Sequence, residues 1–214
     1  PFSSPPLYSS SASVLYKTAA PTSTTAAPTT TLPIPEVDSA EETQVLRAVI
    51  DQEEVDVGGM GVGFRITYES ESILGEPIEV TGLIVAPDLS PTEPRPVLSV
   101  AHGTVGLADQ CAPSKRQFPT PDLALIEPFI NAGWVVVASD YEGLGSPGLH
   151  RYIVGESEAR GVFDIVRAAR SISGLGATGP LVVWGHSQGG RTAMRAGQRW
   201  TELAPELALV GVAA

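Results

Sequence analysis

The chain has 214 residues, of which 43% are hydrophobic and 17% charged, a size and balance that allow one ordinary globular domain with a sizeable core. Thirteen Lys and Arg against 24 Asp and Glu give a net charge of -11, so the basic surface that nucleic acid or an anionic membrane would require is missing. No apolar run approaches the roughly 18 residues needed to cross a bilayer; the longest, Trp134 to Ala138, is of strand length. Neither a nucleic-acid partner nor a transmembrane segment is expected.

The chain opens on Pro1 with no basic and apolar leader to read, which points to an end trimmed by processing or truncation. Of residues 1–35, 26 are Pro, Ser, Thr or Ala. A segment so poor in large apolar residues cannot bury a core, and it is expected to be a disordered linker or stalk of the kind that carries O-linked sugars on exported proteins. Residues 36–56 hold eight acidic residues against Arg47 alone, and folding is expected to begin here. Ser39 with Glu42 forms a capping box, which predicts a short helix with Val45, Leu46 and Val49 on one face.

After Gly63 the period changes to two. Phe64, Ile66 and Tyr68 alternate with Arg65, Thr67 and Glu69, and Ile78 to Ala86 follow a Gly-Glu-Pro turn, predicting two antiparallel strands. Pro96–Ala101, Trp134–Ser139, Leu181–Trp184 and Leu209–Val212 are short apolar runs, as central strands buried on both faces show. Helical patterns separate them at Asp122–Ala132, Glu156–Ile172 and Ser187–Trp200. Strand and helix in alternation predict an α/β fold with a doubly wound, mostly parallel sheet. No internal repeat is present, and Trp134, Trp184 and Trp200 read as packing residues.

Leu181 to Gly190 reads strand, then Gly185-His186-Ser187-Gln188-Gly189, then helix. G-x-S-x-G in that setting is a nucleophile elbow: the serine sits on a strained turn above the sheet, and Gly185 and Gly189 let strand and helix close around it. Attack by Ser187 on an acyl carbonyl creates an oxyanion that needs N–H donors. Gln188, at the helix N-terminus, would supply one, and Gly103 or Thr104, in the loop after an apolar strand, the second. His102 in that loop is expected to shape the turn through hydrogen bonds. Tyr141, past the end of the strand from Trp134, is a candidate for the wall of an acyl pocket. The triad acid and histidine should follow the serine, yet the 27 residues after Ser187 contain no His and no Asp. The remaining histidines, His150 and His186, are not placed to serve, so base and acid are expected outside these residues.

Five motifs in order, Ala101-His102-Gly103-Thr104-Val105-Gly106, Cys111-Ala112-Pro113-Ser114, Ser139 to Gly145, Val154-Gly155-Glu156-Ser157 and Gly185 to Gly190, resemble the secretory lipase family of α/β-hydrolases from actinobacteria and fungi. The likeness runs from about Phe64 to the last residue. It implies a secreted or envelope-associated serine lipase or esterase acting on acylglycerols and other carboxylic esters, with no cofactor or metal needed for the chemistry. It also implies that residues 36–214 are the N-terminal portion of a larger catalytic domain, whose lid, Asp and His lie past Ala214. Cys111, the one cysteine, resembles a residue that bridges to the later half in some relatives. Two other readings stay open: a serine peptidase of the same fold, and a non-catalytic module if the chain ends at Ala214.

Overall fold

The computed structural model describes residues 47–116 and 125–214; the expected linker at 1–35 and the capping box at Ser39 and Glu42, with Val45 and Leu46, lie outside them. Alternating apolar residues make β2 (Val62–Glu71) and β3 (Pro77–Ala86) an antiparallel pair, as expected. A third strand precedes them. Val49 does not lie on a helix but opens β1 (Val49–Val55), which pairs antiparallel with β2. Its acidic residues Asp51, Glu53 and Glu54 face solvent, and hydrogen bonding to β2, not apolar periodicity, makes this segment extended.

The four apolar runs become β4 (Val97–Ala101), β5 (Val135–Ser139), β6 (Leu181–Gly185) and β7 (Leu209–Ala213). Every residue of β4 and β5 is buried, as a strand covered on both faces requires. The sheet runs β1-β2-β3-β5-β4-β6-β7. β3 meets β5 antiparallel, whereas β5 with β4, β4 with β6 and β6 with β7 pair parallel. The sheet is therefore mixed: an antiparallel front half joined to a parallel half that carries the elbow.

Among the described residues three α-helices connect the parallel strands: α1 (Glu127–Asn131), α2 (Gly155–Ser171) and α3 (Gln188–Leu203). On α2, Val162, Ile165 and Val166 are fully buried against Ile66, Ile84, Val137 and Val183 of the sheet; each such side chain contributes about 1.5–3 kcal/mol. On the other face Leu83, Val85, Leu98, Val100 and Val136 pack with Ile126 and Ile130. Trp134 and Trp184 pack against this second cluster, and Trp200 packs on the first while its indole N–H donates to the Leu207 carbonyl at 2.7 Å. A buried ion-pair network braces the same helices: Asp164 pairs with Arg47 at 3.0 Å and Arg167 at 2.7 Å, and Arg167 reaches Glu206 at 2.7 Å.

Candidate active site

The C-terminal ends of β4, β5 and β6 bring the five motifs together. Ser187 follows β6 with φ 57° and ψ -118°, a region that L-residues enter only when the surroundings impose it. The imposition is steric. A Cβ at Gly185 would lie 2.1 Å from the Gly189 carbonyl oxygen, and one at Gly189 would lie 1.8 Å from that of Ala101. Strand β6, helix α3 and the end of β4 thus approach as backbone against backbone. Ser187 is left exposed at the turn, and among the described residues no side chain hydrogen-bonds its hydroxyl. The Gln188 N–H is the first of α3, where no intrahelical acceptor exists for it and the helix dipole is positive.

The His-Gly-Thr loop lies beside the elbow. A Cβ at Gly103 would stand 3.3 Å from the His186 carbonyl oxygen and 3.7 Å from Ser187 Cβ, so the loop backbone comes directly against the serine. His102 is buried, its Nδ1 2.7 Å from the Gly103 oxygen, and it shapes the turn from within. Thr104 is exposed, with its hydroxyl 3.0 Å from that of Tyr152.

Tyr141, expected on the wall of an acyl pocket, is wholly enclosed. It sits at φ 72°, stacks on His102 with ring centroids 4.2 Å apart, and donates its hydroxyl to the His102 carbonyl at 3.1 Å. Its ring supports the His-Gly-Thr loop from behind. The preceding residue has a role that sequence reasoning missed. Asp140, fully buried, accepts the Ser114 N–H at 2.9 Å, the Thr81 hydroxyl at 2.6 Å and the Ser114 hydroxyl, pinning the Cys-Ala-Pro-Ser segment to β3 and β5. Burial pushes its carboxyl above the ordinary carboxylate range, against the lowering pull of Ser114, Thr81 and His102. Cys111 is half-buried and unbonded, its sulfur against Gly106.

Glu142 accepts the Ser157 hydroxyl, and its main-chain carbonyl lies 3.1 Å from His150 Nδ1. His150 is buried and stacked parallel to Tyr141 at 6.5 Å, whereas His186 is exposed beside the serine. Among the described residues no cluster of His, Cys, Asp or Glu has the arrangement of a metal site.

The chain is similar to known proteins in sequence and in fold. The secretory lipase family profile matches residues 117–214. A probable inactive lipase of Mycobacterium tuberculosis is 29% identical over 163 residues, which are 69% of this chain and 35% of that protein. Lipase 1 of Candida albicans is 26% identical over 164 residues, 70% of this chain and 34% of its own length. The chain therefore spans about a third of the length of the curated relatives it matches. Among solved structures, Candida antarctica lipase A in its closed state superposes with a TM-score of 0.67 at 22% identity, covering 77% of this chain and 40% of that one. The ligand-bound rice cell wall degrading esterase LipA from Xanthomonas oryzae gives 0.60 at 26% identity, over 76% and 48%. The fold is that of the α/β-hydrolases, and over residues 117–214 the chain is similar to the secretory lipase family.

Proposed function

We propose that this chain carries the nucleophile half of a serine carboxylic-ester hydrolase, a lipase or esterase of acylglycerols and related esters. The observation that supports it best is Ser187 itself: an exposed hydroxyl held at positive φ between β6 and α3, with the Gly103 backbone against it. Ser187 Oγ attacks the ester carbonyl carbon, and the oxyanion is stabilised by the Gln188 N–H and that of Gly103 or Thr104. Collapse breaks the C–O bond, the alcohol leaves with a proton, and water then hydrolyses the acyl-serine.

His102 and His150 are buried in hydrogen-bonded positions behind the loop, so we assign the base and its acid partner to residues other than these two. Secretion is proposed on the family's name and on the Ser/Thr/Pro-rich first 35 residues; no helix among the described residues is long and apolar enough to cross a membrane. A bridge from Cys111 to a segment outside these residues belongs to the same proposal.

The test is hydrolysis of a p-nitrophenyl ester series of rising chain length by the full-length protein. Ser187→Ala is expected to cost at least about a thousandfold in kcat. A Ser187→Ala variant as fast as wild type overturns the reading. Cleavage of peptide but not ester substrates would assign the peptidase chemistry instead, and a folded protein cleaving neither would assign a non-catalytic role.

A further inference from the structure

Glu158 lies on α2 outside every motif that marks the elbow, yet it is completely buried, and among the described residues no cation pairs with it. Its partners are three neutral donors. Oε1 accepts the Gln188 side-chain amide at 2.7 Å and the Ile153 N–H at 3.0 Å, and Oε2 accepts the Thr192 hydroxyl at 2.6 Å. A buried carboxyl group without a cation is costly unless other donors and dipoles compensate it. Here Glu158 stands in the first turn of α2 and is bonded to the first turn of α3, so the positive ends of two helices converge on it.

What these bonds hold is unusual backbone. Ile153 sits at φ 60°, a conformation that costs a β-branched residue about 1–3 kcal/mol. Its N–H is fixed by Glu158 and its carbonyl accepts from the Arg191 guanidinium on α3. The neighbouring Tyr152 hydroxyl meets Thr104 in the oxyanion loop at 3.0 Å. A continuous path therefore runs from Thr104 through Tyr152 and Ile153 to Glu158 and on to Gln188, joining the backbones on either side of Ser187.

We propose that Glu158 is a positioning residue for the oxyanion site: by holding Gln188 and Ile153 together it fixes the two sides of that site relative to the nucleophile. The proposal rests on the reading of Ser187 as nucleophile. A structural tie between α2 and α3 would affect stability alone; a positioning role affects the transition state and leaves substrate binding nearly unchanged.

The experiment compares wild-type full-length protein with Glu158→Gln, which removes the charge and replaces one of the two accepting oxygens, shared among Gln188, Ile153 and Thr192, with an NH2 donor. The readouts are kcat, KM, affinity for a trifluoromethyl ketone that adds to the serine as a tetrahedral oxyanion mimic, and melting temperature. Glu158→Gln is expected to lower kcat by about 10- to 100-fold, to leave KM within about threefold, and to weaken the ketone by the same factor as kcat. Wild-type kcat and ketone affinity in a folded Glu158→Gln protein overturn the proposal. Should that variant fail to fold, Gln188→Leu breaks the same bond from the other end. The same kcat loss is expected there, and an unchanged kcat overturns the proposal. If the wild-type protein neither hydrolyses esters nor binds the ketone, the nucleophile reading itself fails, an outcome visible before any variant is compared.

Discussion

Gly189 on α3 meets Ala101 at the end of β4 so closely that a Cβ at position 189 would lie 1.8 Å from the Ala101 carbonyl oxygen. Neither partner has a side chain that can turn away, so relief requires strand and helix to separate. Gly189→Ala is expected to destabilise the fold by about 2–3 kcal/mol. Its neighbour is the control: a Cβ at Gly190 comes no nearer than 3.4 Å to any backbone atom outside its own helix, and Gly190→Ala should stay within about 1 kcal/mol of wild type. Urea denaturation of both variants checks this, and equal midpoints would contradict it.

Backbone strain at Ser187 makes a second prediction. Ser187 at φ 57° and ψ -118° occupies backbone space that glycine enters freely. Ser187→Gly and Ser187→Ala both remove the hydroxyl, but only the first removes the strain. Ser187→Gly should be more stable than Ser187→Ala by about 1 kcal/mol, the strain relieved less the extra chain entropy of glycine. Chemical denaturation of the pair measures the difference directly.

Two carboxyl groups should give pH profiles of opposite sign. Burial pulls Glu206 upward, but the hydrogen bond and charge of Arg167, with a backbone bond and Arg170, hold it below the ordinary carboxylate value. Its stabilisation is thus full above the unfolded-state value and is lost as pH falls through the lower folded value. Because Glu206 is partly solvated, the effect should not exceed about 1 kcal/mol. Asp140, raised by burial, binds its proton more tightly folded than unfolded. Its contribution therefore falls as pH rises from the unfolded value through the folded one. Stability measured from pH 3 to 7 should show the advantage of wild type over Glu206→Gln growing with pH, and its advantage over Asp140→Asn shrinking.

The apolar strands and the elbow are legible in the sequence because their cause is local. Runs such as Val135–Ser139 carry their burial in their composition, and Gly185 and Gly189 announce a close approach whatever it meets. Strand β1 is not legible: Asp51, Glu53 and Glu54 suggest a solvated helix face, and only pairing with β2 makes the segment extended. Asp140 and Glu158 are hidden for a related reason. In sequence each resembles a surface acid, and the donors that bury them lie far along the chain, 59 residues away at Thr81 and 30 at Gln188. Position at a strand end suggests a pocket wall for Tyr141; its bond to the His102 carbonyl 39 residues upstream and its burial leave no local signal.

The central claim is that Ser187 is the nucleophile, and covalent capture tests it most directly. The full-length protein should be treated with a fluorophosphonate and its peptides analysed by mass spectrometry. The account predicts one phosphonylated residue, Ser187, with labelling abolished in Ser187→Ala. A folded protein that takes no label, or takes it at another residue with Ser187 untouched, would contradict it.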